Sequence, residues 1–300
     1  MNEGLIVAHY GRHFLVEETN GQRRICHPRG KKSQAVVGDR VLWQASQDEG
    51  VIERIQPRRN LFYRQDELRS KLFAANLDQV LILIAAEPEF SNHQLSRALI
   101  AAEAAQIRPL IVLNKRDLAQ PFARAWRWLQ PYRDMGYAVQ GLSLTSPQAD
   151  PSDLRPQLEA KTTLVLGPSG AGKSTLINAL IPDAGAQTGA LSVALASGRH
   201  TTTRTTWYWL DDSRRSAVID SPGFQEFGLQ HLQATDLARC MPDVRAHAGA
   251  CRFYNCTHRH EPGCAVISAV KNEPSPDAIS PIRYQIYCDL WTELNAAPRY

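Results

Sequence analysis

Leu164-Val-Leu-Gly-Pro-Ser-Gly-Ala-Gly-Lys-Ser-Thr-Leu-Ile-Asn178 runs from an apolar strand through a glycine-rich loop into a helix. Within it, Gly167-Pro-Ser-Gly-Ala-Gly172-Lys173-Ser174 matches the phosphate-loop pattern at every fixed position. Glycines let backbone N–H groups face phosphates at a helix N-terminus. Lys173 is spaced to reach the β- and γ-phosphates, and Ser174 to offer a hydroxyl to magnesium. The candidate phosphate-binding residues are therefore Gly167, Pro168, Ser169, Gly170, Ala171, Gly172, Lys173, Ser174 and Thr175.

Two further motifs gain meaning from that loop. Val218-Ile-Asp220-Ser-Pro-Gly223 ends a second apolar strand in a carboxylate and a glycine, suited to the magnesium side and the γ-phosphate respectively. The stretch Arg199-His200-Thr201-Thr202-Thr203 lies between the two and offers hydroxyls, with any of the three threonines able to serve magnesium. Asn114-Lys115-Arg116-Asp117 follows the strand Leu110-Ile-Val-Leu113. A carboxylate there accepts the N1–H and N2 protons of guanine, donors that adenine does not present together, and a purine lacking them would leave the acceptor unpaired. Ser143, in Gly141-Leu-Ser-Leu-Thr145 after the next strand, is the candidate loop backing the base.

The order is base motif, backing loop, phosphate loop, threonine loop, Asp-x-x-Gly. A chain whose old termini are joined and whose new ones open at a surface connection keeps its fold. The expected central unit, residues 73–234, is thus a circularly permuted α/β P-loop domain, with alternating strands and helices and a parallel sheet. Before it, Gly4–Ala8, Arg12–Val16, Arg23–Cys26, Arg40–Trp43 and Gly50–Ile55 read as five short strands. That predicts an OB-fold β-barrel over residues 1–72. Residues 235–300 read as a mainly helical unit closed by a helix from Ser280 to Asn295.

Cys251-x4-Cys256-x-His258-x5-Cys264 places three sulfurs and an imidazole within fourteen residues. This is a Cys3His set for one structural Zn²⁺, with His260 as a competing imidazole. Neighbouring Arg252, Phe253, Tyr254 and Arg259 combine charge and aromatic faces, which suits RNA, and the same aromatics also suit packing of the small core. Residues 1–72 hold 13 Lys/Arg against 9 Asp/Glu, and the rest of the chain 21 against 21, so the +4 net charge sits at the N-terminal end. Arg23, Arg24, Arg29, Lys31 and Lys32 form one basic group, and Arg54, Arg58, Arg59, Arg64, Arg69 and Lys71 a looser one. Phosphate-rich partners fit this distribution, as does a merely solvated basic face. No run approaches the ~20 apolar residues of a membrane span, and the polar start is unlike a signal peptide, so no membrane and a cytoplasmic location are expected.

Together these residues resemble the RsgA family, the circularly permuted GTPases of small-ribosomal-subunit biogenesis. The resemblance is carried by Arg29-Gly30, Val37-Gly38-Asp39, Ala75-Asn76-Leu-Asp78-Gln79, Asn114–Asp117, Gly167–Ser174, Gly198–Thr203, Asp220–Gly223 and Glu261-Pro-Gly-Cys264-Ala-Val266. It implies a GTPase using GTP/GDP with Mg²⁺ that binds the small (30S) ribosomal subunit late in assembly, is stimulated by it and leaves after hydrolysis. The barrel and zinc unit would contact 16S-type rRNA, and other assembly factors would be met. The resemblance makes His200 the water-orienting residue, since Phe224, after Gly223, has no group to position water. Gly170 stands where some related GTPases place a potassium-binding asparagine. A monomer is the default expectation, and the rival readings are a ribosome-binding placeholder and an ATP-using P-loop enzyme.

Overall fold

The computed structural model describes residues 1–300 apart from 31–33, 47–48, 67–69, 145–150, 182–204, 222–223, 225–226, 273–274, 276 and 297–300. Five strands open the chain: β1 (Asn2–Tyr10), β2 (His13–Glu17), β3 (Arg23–Pro28), β4 (Arg40–Ser46) and β5 (Glu49–Ile55). Their order is β1-β2-β3-β5-β4, closed by β4 pairing back onto β1, with β3 and β5 parallel. This is the five-stranded barrel expected from the sequence, an OB-fold topology. Alternation along the strands turns Ile6, Val16, Cys26, Val41, Trp43 and Ile52 inward, all buried.

Val37-Gly38-Asp39 is the joint between this barrel and the rest of the chain. Asp39 is fully buried, accepts Val36 N–H at 2.8 Å and holds Arg58 through two bonds of 2.7 and 2.8 Å. Gly38 has φ +90°, and a Cβ there would lie 2.2 Å from the Ala75 carbonyl oxygen. Ala75 N–H donates to Val37 O at 3.0 Å, and Asn76 Nδ2 donates to Gly38 O at 2.9 Å. Gly38→Ala combines a left-handed backbone with this overlap. It is expected to cost about 2–4 kcal/mol, read as a lowered first transition in thermal unfolding.

Between barrel and central sheet lies an antiparallel hairpin, β6 (Leu61–Gln65) and β7 (Ser70–Ala75), which the sequence reading did not assign. Then come β8 (Gln79–Ala85), α1 (Asn92–Ala104), β9 (Arg108–Asn114), α2 (Ala119–Trp128), α3 (Gln130–Asp134), β10 (Ala138–Gly141), α4 (Arg155–Leu158), β11 (Thr162–Leu166), α5 (Lys173–Leu180), β12 (Thr206–Trp209) and β13 (Ala217–Asp220). The sheet order is β10-β9-β8-β11-β13-β12. All these strands are parallel except β12, which pairs antiparallel with β13. Every residue of β8 is buried, because helices cover both faces of such a sheet. Val80, Ile82 and Ile84 enter one core with α1, while Leu81 and Leu83 enter the other with α5.

The chain ends in α6 (Pro242–Ala248), α7 (Ala265–Ala269) and α8 (Pro281–Leu294), with Ser280 capping α8 by accepting from Arg283 N–H. Arg283 is 3% exposed and fastens α8 to the central unit. Its Nε and Nη2 donate to Asp243 at 2.9 and 3.0 Å, and Nη1 donates to Ser96 Oγ on α1 at 2.7 Å. Among the described residues no helix is long and apolar enough to cross a membrane.

Candidate functional site

The strands β8, β9 and β10 succeed one another outward on one side, and β11 returns to the other side of β8. Ligands of open parallel sheets bind beyond the carboxyl ends of the strands at such a reversal. The sequence motifs converge there. The glycine-rich loop leaves β11, Asn114–Asp117 leaves β9, and Asp220 ends β13.

Local geometry explains the loop glycines. Gly172 is the α5 N-cap at φ +99°, and a Cβ would come within 2.4 Å of Asn114 Nδ2. A Cβ on Gly167 would sit 2.6 Å from Leu83 O, so close strand approach demands glycine there. Ser169, Gly170, Ser174 and Thr175 are exposed along the rim, and Pro168 O accepts Ala171 N–H at 3.2 Å. At the centre, Lys173 Nζ donates to Asp220 Oδ1 at 2.7 Å and to Ser221 O at 2.6 Å. Burial pushes the Asp220 carboxyl up and Lys173 pulls it back down, with a net rise. A buried carboxylate and an exposed Ser174 hydroxyl on the residue after Lys173 offer hard oxygen donors that suit Mg²⁺. These are the residues that would hold it, and the ion would neutralise phosphate charge.

The base motif is tied directly to the phosphate loop. Buried Asn114 donates from Nδ2 to Ala171 O at 2.8 Å, a brace that spacing alone did not disclose. Lys115 takes φ +69°, and its ammonium donates to Glu87 O. Asp117 stays exposed, accepting Ser143 Oγ–H at 2.6 Å, and Arg116 N–H donates to Leu142 O at 2.9 Å. The backing loop thus orients the carboxylate. His200, Thr201, Thr202, Thr203, Thr145 and Gly223 lie outside the described residues.

A second cluster forms in the C-terminal region. One ligand atom from each of Cys251, Cys256, His258 and Cys264 lies within 4.8 Å of all the others. Cys251 Sγ is 3.8 Å from Cys264 Sγ, and His258 Nδ1 is 3.4 and 3.6 Å from those two sulfurs. A tetrahedral zinc with Zn–S ≈ 2.3 Å and Zn–N ≈ 2.0–2.1 Å has edges of about 3.8 Å between sulfurs and about 3.5 Å from sulfur to nitrogen. The donor set fits zinc. Glu261 braces the loop by accepting Thr257 N–H at 2.7 Å and Arg259 N–H at 3.1 Å.

Several basic residues of the barrel region prove to be paired. Arg23 meets Glu17 at 2.7 Å, Arg29 meets Glu53 at 2.5 Å, and Arg59 meets Asp78 at 2.8 Å. Lys31, Lys32 and Arg69 lie outside the described residues.

A glycine-rich phosphate loop cross-braced to a guanine-type motif that precedes it in the chain defines a circularly permuted P-loop GTPase with a fused barrel. A profile of the RsgA GTPase family matches residues 55–230. A protein of Variovorax paradoxus (strain S110), "Small ribosomal subunit biogenesis GTPase RsgA", is 64% identical over 98% of this chain and 93% of its own length. Its namesake in Burkholderia pseudomallei (strain K96243) is 49% identical over 99% and 94%. Among solved structures, YjeQ from Thermotoga maritima superposes with TM-score 0.76 at 27% identity, covering 99% of both chains. YloQ, a circularly permuted GTPase, gives 0.72 at 29%, covering 100% and 97%. The chain belongs to the RsgA GTPase family and is a GTP-hydrolysing enzyme.

Proposed function

We propose that this GTPase acts in ribosome biogenesis by binding the small ribosomal subunit late in assembly, hydrolysing GTP under its stimulation and leaving once GDP is formed. The observation that carries this is the brace from Asn114 to Ala171, which joins guanine selection to phosphate binding in one site. The names of the curated relatives supply the subunit. Asp117 reads guanine with Ser143 behind it. Gly167–Thr175 cradle the phosphates, with Asp220 and Gly223 on the magnesium side.

The units are 1–72, 73–234 and 235–300, with 16S-type rRNA met by the first and third. Tyr254 is fully exposed and Phe253 41% exposed, with the Arg252 guanidinium 5.5 Å from the Phe253 ring centre. Exposed rings with adjacent guanidinium are stacking platforms for unpaired bases. The protein works in the cytoplasm as a monomer.

His200 orients the attacking water in the subunit-bound state, because Phe224 is buried and apolar. The test is steady-state GTP hydrolysis with small subunits, and with large subunits as control. Small subunits alone should stimulate, and His200→Ala should hold turnover at the basal rate while guanine nucleotide affinity is kept. Flat turnover with either subunit would move the proposal to another partner. Full stimulation of His200→Ala would remove the residue from the mechanism.

A further inference from the structure

The barrel and the GTPase sheet are joined strand to strand. Without the barrel β12 would be an edge strand, and β1 covers it. Ala8 stands opposite Thr206, Thr206 opposite Asp220, and Asp220 opposite Val165 on β11, the strand that feeds the phosphate loop. Barrel strand β1 thus lies two strands, about 10 Å, from Asp220. The backbone junction is short: β12 has 4 residues, and His9 N–H donates to Thr205 O at 3.3 Å.

A side chain reinforces it. Glu17, at the end of β2, is 4% exposed, and its carboxylate takes donors from both units. Trp209 Nε1 of β12 donates to Oε1 at 2.8 Å, and Arg23 Nε of β3 donates to Oε2 at 2.7 Å. Arg214, in the turn between β12 and β13, brings Nη1 within 3.4 Å of Oε1. Its guanidinium also packs against the barrel turn at Gly21, where a Cβ would come 2.3 Å from Nη2. The Trp209 ring meets Trp207 edge-on at 5.0 Å, and Trp207 stands opposite Ile219, the residue before Asp220. A buried carboxylate shared by three donors holds them firmly, because separating any of them leaves buried charge or a buried N–H unpaired. The Val37–Asp39 joint grips Ala75 and Asn76 ahead of β8. Glu17 is the grip on the hairpin that ends in Asp220, whose carboxylate Lys173 holds at 2.7 Å.

We propose that Glu17, a barrel residue, is a positioning residue for subunit-stimulated GTP hydrolysis: it ties β2 to the β12–β13 hairpin, so that a subunit engaging the barrel shifts Asp220 relative to Lys173. The inference rests on the reading that small subunits stimulate this enzyme. It gives the barrel a second task beside RNA contact, the delivery of that contact to the nucleotide site.

The test measures GTP hydrolysis by the full-length protein with and without purified small subunits, and co-sedimentation with those subunits in a non-hydrolysable GTP analogue. Trp209→Phe deletes the bond between the units and keeps an aromatic ring. Its stimulated kcat is expected to fall about tenfold, as for one hydrogen bond to a charged group, while the basal rate, guanine nucleotide affinity and co-sedimentation change less than about twofold. Glu17→Ala should lose at least as much, and Glu17→Gln, which keeps an acceptor for the indole N–H, should fall between Trp209→Phe and wild type. Full stimulation of Trp209→Phe and Glu17→Ala would overturn the proposal. So would a basal rate that falls in step with the stimulated rate and a lowered unfolding temperature, which would make the contact structural only. Lost co-sedimentation with an intact basal rate would also overturn it, by assigning Glu17 to subunit docking. A wild-type enzyme that small subunits leave unstimulated would instead defeat the reading on which the inference rests.

Discussion

Asp117→Asn is expected to turn a guanine site into a xanthine site. Guanine presents two donors, N1–H and the N2 amine, to the two carboxylate oxygens, whereas an amide supplies one acceptor and one donor. Xanthine carries a carbonyl oxygen where guanine has the amine, so it pairs with the amide. A site built to hydrogen-bond its ligand rejects a mismatched one strongly, and GTP affinity should fall about 10³-fold or more while xanthosine triphosphate becomes the better ligand. Ser143→Ala is the graded companion. It removes the 2.6 Å bond that orients the carboxylate but leaves the acceptors in place, so a loss of roughly three- to tenfold is expected, as for one hydrogen bond. Competition binding with a fluorescent guanine nucleotide reads both. Unchanged GTP preference in Asp117→Asn, or equal affinity of the wild type for ATP, would mean that this loop does not read the base.

Much of this site was legible because its chemistry and its local sequence coincide. The strand before the phosphate loop ends in the buried apolar run Leu164-Val-Leu166, because both sheet faces are covered, and Gly172 stands where the backbone turns left-handed beside Asn114. The permutation was readable from motif order alone. The hairpin β6–β7 was not, because its turn carries no Asn-Gly or Gly-Pro signal, and Tyr63-Arg-Gln65 has little apolar content. What holds it is Gly228 and Phe227, some 160 residues later in the chain. The two apolar pairs Leu61-Phe62 and Leu72-Phe73 were the available clue. How the N-terminal basic residues are paired was not legible from composition: Arg58 is largely buried against Asp39, whereas Arg29, its side chain 75% exposed, meets Glu53.

Loss of one zinc ligand is expected to undo the C-terminal unit while sparing the nucleotide site. Thr257 O and His258 O accept the hydroxyls of Tyr287 and Tyr284 at 3.0 and 2.9 Å, so the ligand loop is wired to α8. Few large side chains are buried around it, chiefly Val266, Ile279, Ile286, Tyr287 and Leu290. So small a core needs a staple, and a structural zinc supplies an apparent ~10–16 kcal/mol at neutral pH. Cys264→Ser should abolish zinc retention, measured by elemental analysis, and expose residues 251–264 to protease. Basal GTP hydrolysis should change little, because Lys173, Asp220 and Asn114 are braced by sheet contacts independent of the cluster. Stimulation by small subunits should be lost with the loop proposed to meet rRNA. The competing imidazole is settled in the same series. His258→Ala should release zinc, since Nδ1 of His258 completes the tetrahedral edges, whereas His260→Ala should keep it. The opposite pattern would move the fourth ligand to His260, and a zinc-free wild type with an intact C-terminal fold would show that the thiols alone pack this unit.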